Sequence, residues 1–293
     1  MVAGFHGSPR RRDAARRGES QGAQGAQGAR AARGAEYYSG PMGAQTVEVG
    51  TDEHLRATRA YYDEFSARYE ARRGGRDPGG YHDLVDALEV DFVRRFGEGR
   101  DVLEVGCGTG LLLARIGAFA RAARGVDLSP GMLERARERG LDVVEGSATD
   151  LPFADESFDV ACSFKVLAHV EDVRRALSEM ARVVRPGGHV IAEFYNPYSL
   201  RGLVKRLGPA GAISDRTRES AVFTRFDAPS AAAALMPDGV RVVASRGVRI
   251  VTPFAAAMRV PGLGRLLRRA EWALCDTPLA QLGGFWIAAA RKA

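Results

Sequence analysis

Val102-Leu-Glu-Val-Gly-Cys-Gly-Thr-Gly110 runs from an apolar strand into three alternating glycines and then into the helix-forming Leu111-Leu-Leu-Ala-Arg115. A turn of that composition lets a ligand approach bare backbone near the positive end of a helix. Asp127 lies 21 residues after Gly106, at the end of the next apolar segment. A carboxylate there can accept hydrogen bonds from both hydroxyls of a ribose, so the pair of features points to an adenosine-containing ligand. The competing role for Asp127 is capping of a following helix, although Ser129-Pro130 already offers a cap and a first-turn proline.

Two adenosine cofactors compete for such a turn. A nicotinamide dinucleotide asks for G-x-G-x-x-G, whereas here the third glycine comes one place early, as G-x-G-x-G. Glu104, two residues before the first glycine, suits the ammonium end of a methionine moiety and would repel a pyrophosphate. S-adenosylmethionine is therefore the expected cofactor.

Working outward, strands are expected at about 101–106, 123–127, 142–146, 158–164 and 188–195, with helices near 110–118, 130–139 and 171–184. Short loops between them give the pattern of a parallel sheet wound with helices on both faces. Upstream, Leu55, Tyr61, Tyr62, Phe65 and Tyr69 recur at helical spacing from Asp52 onward, and Arg73–Gly80 breaks that helix. A second helix over roughly 81–96 carries Leu84, Val85, Leu88, Phe92, Val93 and Phe96 on one face. Downstream, Val240–Val251 and Phe285–Ala290 read as two further strands separated by an irregular insert.

The expected division is a basic tail over 1–45, cap helices over 46–98 and a cofactor-binding core over 99–196. A lid insert over 197–237, a core strand over 238–252, a second lid insert over 253–283 and a last strand over 284–293 follow. The fold class is thus α/β, a doubly wound, mostly parallel, Rossmann-like sheet of seven strands with helical lid inserts.

Several segments in order resemble the successive motifs of class I S-adenosylmethionine-dependent methyltransferases. They are Val102–Gly110, Gly125-Val-Asp-Leu-Ser-Pro-Gly-Met-Leu133, Gly146-Ser-Ala-Thr-Asp-Leu-Pro-Phe153, Ser157-Phe-Asp-Val160 and Val183-Val-Arg-Pro-Gly-Gly188. The likeness is greatest to the small-molecule branch that includes the ubiquinone and menaquinone methyltransferases. It implies a last strand antiparallel to the others and a cofactor lying across the carboxyl ends of the first strands. It further implies that Glu104 and the backbone of Gly106, Cys107 and Gly108 hold the methionine part and that Asp127 binds ribose. Leu128 and Met132 would pack on adenine. Ser147 stands where the family often has an aspartate for the adenine amino group, and a serine hydroxyl bonds less strongly than a charged acceptor. Ala148 and Thr149 would add neighbouring contacts.

A methyl group on a sulfonium is already activated, so the protein's work is to align an acceptor and exclude water. A base is needed only where the acceptor must lose a proton. His169, in Phe164-Lys-Val-Leu-Ala-His-Val170, is the candidate, with anchoring of the following helix as its alternative. Lys165 has two readings, a contact to substrate or to the cofactor carboxylate, and a solvated side chain. Asn196-Pro197-Tyr198 resembles the N-P-P-Y signature of nucleic-acid base methyltransferases, but that motif has two prolines and follows the fourth strand, where Ser163-Phe164-Lys165 stands instead. The expectation is methyl transfer to a small organic acceptor, oxygen favoured over carbon or nitrogen. A non-catalytic cofactor-binding regulator and a nucleic-acid methyltransferase are the alternatives.

Composition agrees with a soluble globular chain: 293 residues, 45% hydrophobic and 27% charged. The net charge of +6 is uneven, because residues 1–41 hold seven arginines against Asp13, Glu19 and Glu36, which leaves about +2 for the rest. That tail repeats Gln-Gly-Ala, lacks Leu and Ile, and is expected to be disordered. It is either a solvated leader or a stretch before a true start at Met42, and nucleic-acid binding is disfavoured as its role. No apolar run approaches the roughly 20 residues of a membrane span, so membrane insertion is not expected. Cys107, Cys162 and Cys275 form neither a disulfide framework nor a metal-binding pair, which suggests a reduced, cytoplasmic protein with no metal. In the lids, Arg201, Lys205, Arg206, Arg216, Arg218 and Arg225 in the first, and Arg259, Arg265, Arg268 and Arg269 among apolar residues in the second, leave two readings. One is an apolar acceptor bearing an anionic group; the other is amphipathic cover helices with solvated arginines.

Overall fold

Apolar strands joined through short helices can bury both only as a sheet covered on each face, and the chain adopts that arrangement. The computed structural model describes residues 51–72, 79–199 and 224–293. Two helices come first, α1 (Thr51–Arg72) and α2 (Tyr81–Gly97). The alternating core is β1 (Asp101–Val105), α3 (Leu111–Ile116), β2 (Ala122–Asp127), α4 (Pro130–Glu138), β3 (Asp142–Glu145), β4 (Phe158–Ser163), α5 (Val173–Val183) and β5 (Val184–Tyr195). It is completed by α6 (Pro229–Ala233), β6 (Val240–Val248), α7 (Leu263–Leu274) and β7 (Phe285–Lys292). The basic tail, the Arg73–Pro78 break and the lid residues Arg201, Lys205, Arg206, Arg216 and Arg218 lie outside the described residues.

The seven strands lie in the order β3-β2-β1-β4-β5-β7-β6. Pairing is parallel from β3 through β5, and β7 runs antiparallel to both β5 and β6. The last strand is thus antiparallel, as the family likeness implied. Chain order reverses between β1 and β4, and the crevice outside the carboxyl ends of those strands is where open α/β sheets take ligands.

Strand residues alternate faces. Leu103 and Val105 of β1 join a core with Leu177, Met180 and Phe194 under α5 and α6. Val102 joins the opposite core with Leu84, Leu88, Phe92, Val160 and Ile191 beneath α2. Glu104, two places on from Val102, is therefore held on the α2 face. The fifth strand begins at Val184, four residues before the expected 188. Phe158 pairs with Val184 and Val160 with His189, so a bulge takes up Arg185-Pro-Gly-Gly and lets proline sit inside a strand.

One fully buried cation ties α2 to the late strands. Arg246 on β6 donates to Asp276 at 2.9 and 2.8 Å, to Asp91 at 2.8 Å and to the Leu88 carbonyl at 2.8 Å. Burial raises the Asp276 carboxyl, but the hydrogen bonds from Arg246 and Arg95 outweigh it and hold the group at about 2. That depressed value contributes stability above its ordinary 3.8, lost as the pH falls through about 2. Arg246→Met should cost about 2–4 kcal/mol in urea unfolding, because it removes the buried partner of Asp276, Asp91 and the Leu88 carbonyl and leaves the two carboxylates to the more exposed Arg95.

Candidate active site

The glycine turn after β1 is shaped by positive backbone angles at Gly106 (φ 76), Gly108 (φ 54) and Gly110 (φ 80), which side-chain-bearing residues rarely adopt. Gly106 and Cys107 donate to the Val126 carbonyl at 2.7 and 3.1 Å, which clamps the turn against the end of β2. A Cβ on Gly106 would stand 2.2 Å from Val166, whereas one on Gly108 would meet nothing within 4 Å. The backbone of Gly108 therefore faces open space over which a ligand can lie. Cys107 is buried, and burial pushes its thiol far above the ordinary range, against any nucleophilic role.

Asp127 is fixed between the glycine turn and the residue that caps α4. Its two carboxylate oxygens accept the Gly108 N–H at 2.8 Å and the Ser129 N–H at 2.9 Å. Ser129 itself caps α4 by accepting the Met132 N–H at 3.2 Å, so the capping alternative for Asp127 falls away. Burial raises the Asp127 carboxyl, opposed by the Ser129, Gly108 and Leu128 N–H groups. Met132 is buried and Leu128 half-buried beside it. Ser147 shares a hydrogen bond with the Thr149 hydroxyl at 2.8 Å and accepts the Thr149 N–H at 3.2 Å, so its side chain shapes its own loop. Ala148 packs at the edge of the α5-side core.

Helix α1 closes over this end. Asp63 accepts the Gly131 N–H at 3.0 Å and the Ser129 hydroxyl, and Arg59 reaches Glu145 at 2.7 Å. Tyr62 lies close enough to Asp127 and Tyr69 for their charges to add to burial in raising its phenol.

Below the turn the sheet carries an unusual group of carboxyls. Glu104 is 3% exposed, and its Oε2 has no hydrogen-bond partner among the described residues. Burial, then the charge of Glu89, pushes it well above the ordinary carboxylate range. Glu89 and Asp86 reach the same region from α2 and Glu193 from β5, with Lys165 between them. Lys165 Nζ sits 2.7 Å from Glu89 and 3.5 Å from Asp86, and its backbone N–H donates to Glu193 at 3.1 Å. Its backbone is left-handed (φ 61). Lys165 is thus not a solvated side chain but a counter-ion for the α2 carboxylates.

His169 closes a 3-10 turn (Leu167–His169) after β4. Its Nδ1 lies 3.2 Å from the Thr224 hydroxyl, and its ring meets Tyr195 edge-on at 5.9 Å. Tyr195 also neighbours Phe226 at 6.0 Å and Phe285 at 5.1 Å. The carboxyl ends of β4 and β5, beside the start of β7, thus present one histidine among aromatic rings. In the first insert, Arg225 is bound to Asp227 at 2.7 and 2.8 Å.

Sequence reading did not find Asp86, Glu89, Glu193, Tyr195 or Asp63. A signal existed for three of them: Asp86 and Glu89 interrupt the apolar face of α2, and Glu193 interrupts Val190-Ile-Ala-Glu-Phe194, all at positions where charge is costly unless partnered.

Residues 103–192 match the model of the methyltransferase-domain family, and the strand order, glycine turn and strand-end aspartate resemble those of class I S-adenosylmethionine-dependent methyltransferases. The demethylmenaquinone methyltransferase of Mycobacterium marinum is 46% identical over 109 residues, 36% of this chain and 46% of that protein. The one from Paenarthrobacter aurescens is 39% identical over 117 residues, 39% of this chain and 44% of that protein. The chain therefore matches less than half the length of these relatives. Among solved structures, a Thermotoga maritima methyltransferase described as a possible histamine N-methyltransferase has a TM-score of 0.55 at 21% identity, over 82% of this chain and all of that one. The [4+2]-cyclase SpnF has a TM-score of 0.56 at 21% identity, over 80% and 94% of the two chains. A cyclase on the same fold makes plain that the fold alone assigns no reaction.

Proposed function

We propose that the protein is an enzyme that moves a methyl group from S-adenosylmethionine to a small aromatic acceptor, with a hydroxyl oxygen as the receiving atom. The observation that carries the cofactor reading is the buried, unpartnered Oε2 of Glu104 beneath the glycine turn, which an ammonium group would satisfy. The open backbone over Gly108 takes the methionine portion together with Gly106 and Cys107. Asp127 keeps further lone pairs for the ribose hydroxyls, and Leu128 and Met132 flank the base. Ser147, Ala148 and Thr149 line its rim. When bound, the cofactor supplies an already activated methyl group on sulfur.

The remaining work falls to the chain's own residues. Tyr195, Phe226 and Phe285 orient a flat apolar acceptor and keep water from it. His169 accepts the acceptor's proton at Nε2 when Nδ1–H donates to Thr224. A quinone-class acceptor is supported by the names of the M. marinum and P. aurescens relatives. Arg225 is engaged by Asp227, so among the described residues an anionic group on the acceptor would meet arginines of the second insert. The free, buried Cys107, Cys162 and Cys275 support a reducing, cytoplasmic location.

Incubation with S-adenosylmethionine and a panel of phenols and quinols, read by mass spectrometry, should yield a product heavier by one methylene group. Cofactor binding without any methylated product across that panel would overturn the enzymatic reading. Asp127→Ala should weaken cofactor binding by about 1.5–3 kcal/mol in calorimetry, the worth of hydrogen bonds to a charged group. Unchanged affinity would remove Asp127 from the ribose site.

A further inference from the structure

The second insert carries its polarity inside out. On the inner side of α7, Glu271 has no exposure and accepts the backbone N–H groups of Ile250, Val251 and Thr252 together with the Thr252 hydroxyl, at 2.7–3.0 Å. On the outer side Leu266 is 63% exposed and Leu263 stands beside it. The segment leading into the helix adds Phe254, 51% exposed, and Val260, 49% exposed. A helix that hides its glutamate and turns Leu263 and Leu266 outward, while Leu267 packs on the α2-side core, is built to meet an apolar medium. Arg259, Arg265 and Arg269 are exposed among these apolar side chains, while Arg268 is drawn inward to Asp83 at 3.2 Å. Between residues 253 and 275 the chain has one acidic residue, the buried Glu271.

We propose that this face docks on the surface of an anionic lipid bilayer, with Phe254, Val260, Leu263 and Leu266 entering the interface and the three arginines meeting lipid phosphates. Interleaved apolar and cationic side chains on a helix that does not span are the pattern of interfacial binding. Charge complementarity favours that occupant over a second copy of the chain, because a two-fold contact would set the arginines against one another with no exposed carboxylate to answer them. It also favours lipid over nucleic acid, which offers nothing to the exposed leucines. No helix among the described residues is long and apolar enough to cross a membrane, so attachment is to the surface. The insert leaves β6 at the sheet edge that holds Tyr195, since Val248 and Tyr195 both pair with Phe285. An acceptor dissolved in the bilayer would thus be delivered on the side of the aromatic rings; that step rests on the proposed function, whereas the docking does not.

The test is co-sedimentation of the full chain with vesicles of phosphatidylcholine alone or mixed with phosphatidylglycerol. The wild type should bind the anionic vesicles, less so as salt rises, and leave the neutral ones largely unbound. Val260→Asp with Leu266→Asp should lower anionic-vesicle binding by about tenfold or more, with thermal melting and cofactor affinity unchanged. Arg265→Ser with Arg269→Ser should remove most of the salt dependence. The N-terminal arginines are present in every variant, so undiminished binding by the aspartate variant would place lipid attachment elsewhere and overturn the proposal. Equal binding to both vesicle types would overturn it too, as would self-association in sedimentation velocity that Leu266→Asp abolishes.

Discussion

His169→Ala is expected to lower turnover by about 10²–10⁴-fold, the worth of a positioned general base, while cofactor affinity stays near that of the wild type. The separation follows from placement. Glu104, Gly108 and Asp127 sit at the ends of β1 and β2, whereas His169 follows β4 and touches Thr224 and Tyr195. The Thr224 contact matters because a histidine acts as a base only through the ring nitrogen that lacks its proton. Thr224→Val should therefore reduce turnover in the same direction but less. Little loss in His169→Ala would mean that the acceptor's proton leaves to water. Loss of cofactor affinity along with turnover would instead make His169 an anchor of the turn before α5.

What could be read in the sequence was what local geometry demands. Glycines at 106, 108 and 110 are required by backbone angles, and Asp127 takes the N–H group that Gly108 turns toward it, so a short string of residues reports a whole corner of the fold. The capped start of α4 at Ser129-Pro130 and the largely apolar runs of β1 and β4 are local in the same sense. The start of β5 was not legible, because a strand beginning at Val184 is tolerated only through a bulge that its partner β4 accommodates. Nor was the carboxyl group under the glycine turn, whose members come from α2, β1 and β5 and meet only in space. The outer leucines of α7 illustrate a third limit. Periodicity reveals two faces of a helix, but which one turns inward was decided by Glu271 finding three backbone N–H groups in the chain after β6.

Replacing Glu104 with glutamine should weaken S-adenosylmethionine binding by about 2–4 kcal/mol and at the same time stabilise the protein without cofactor. Both effects follow from one fact, that Glu104 is buried with an oxygen left unpaired beside Glu89, so its charge is costly until a cation arrives. Glutamine removes that cost together with the attraction. The pH dependence has a definite sign. Glu104, Glu193 and Glu89 all have carboxyls raised above their ordinary 4.5, chiefly by burial. Between that value and the raised folded values the native state holds more protons than the unfolded one, so stability falls as the pH rises and levels off above the raised values. The melting temperature without cofactor should thus decline from mildly acid to neutral pH, more steeply in the wild type than in Glu104→Gln. Cofactor affinity should move the other way, rising with pH, because an ammonium group binds the carboxylate and not the carboxylic acid. Calorimetry in buffers of different ionisation enthalpy would register the proton released on binding, and the glutamine variant should release less. If Glu104→Gln binds the cofactor as tightly as the wild type, the ammonium site lies elsewhere. If the variant melts lower without cofactor, Glu104 is already satisfied in the free protein and its burial is structural.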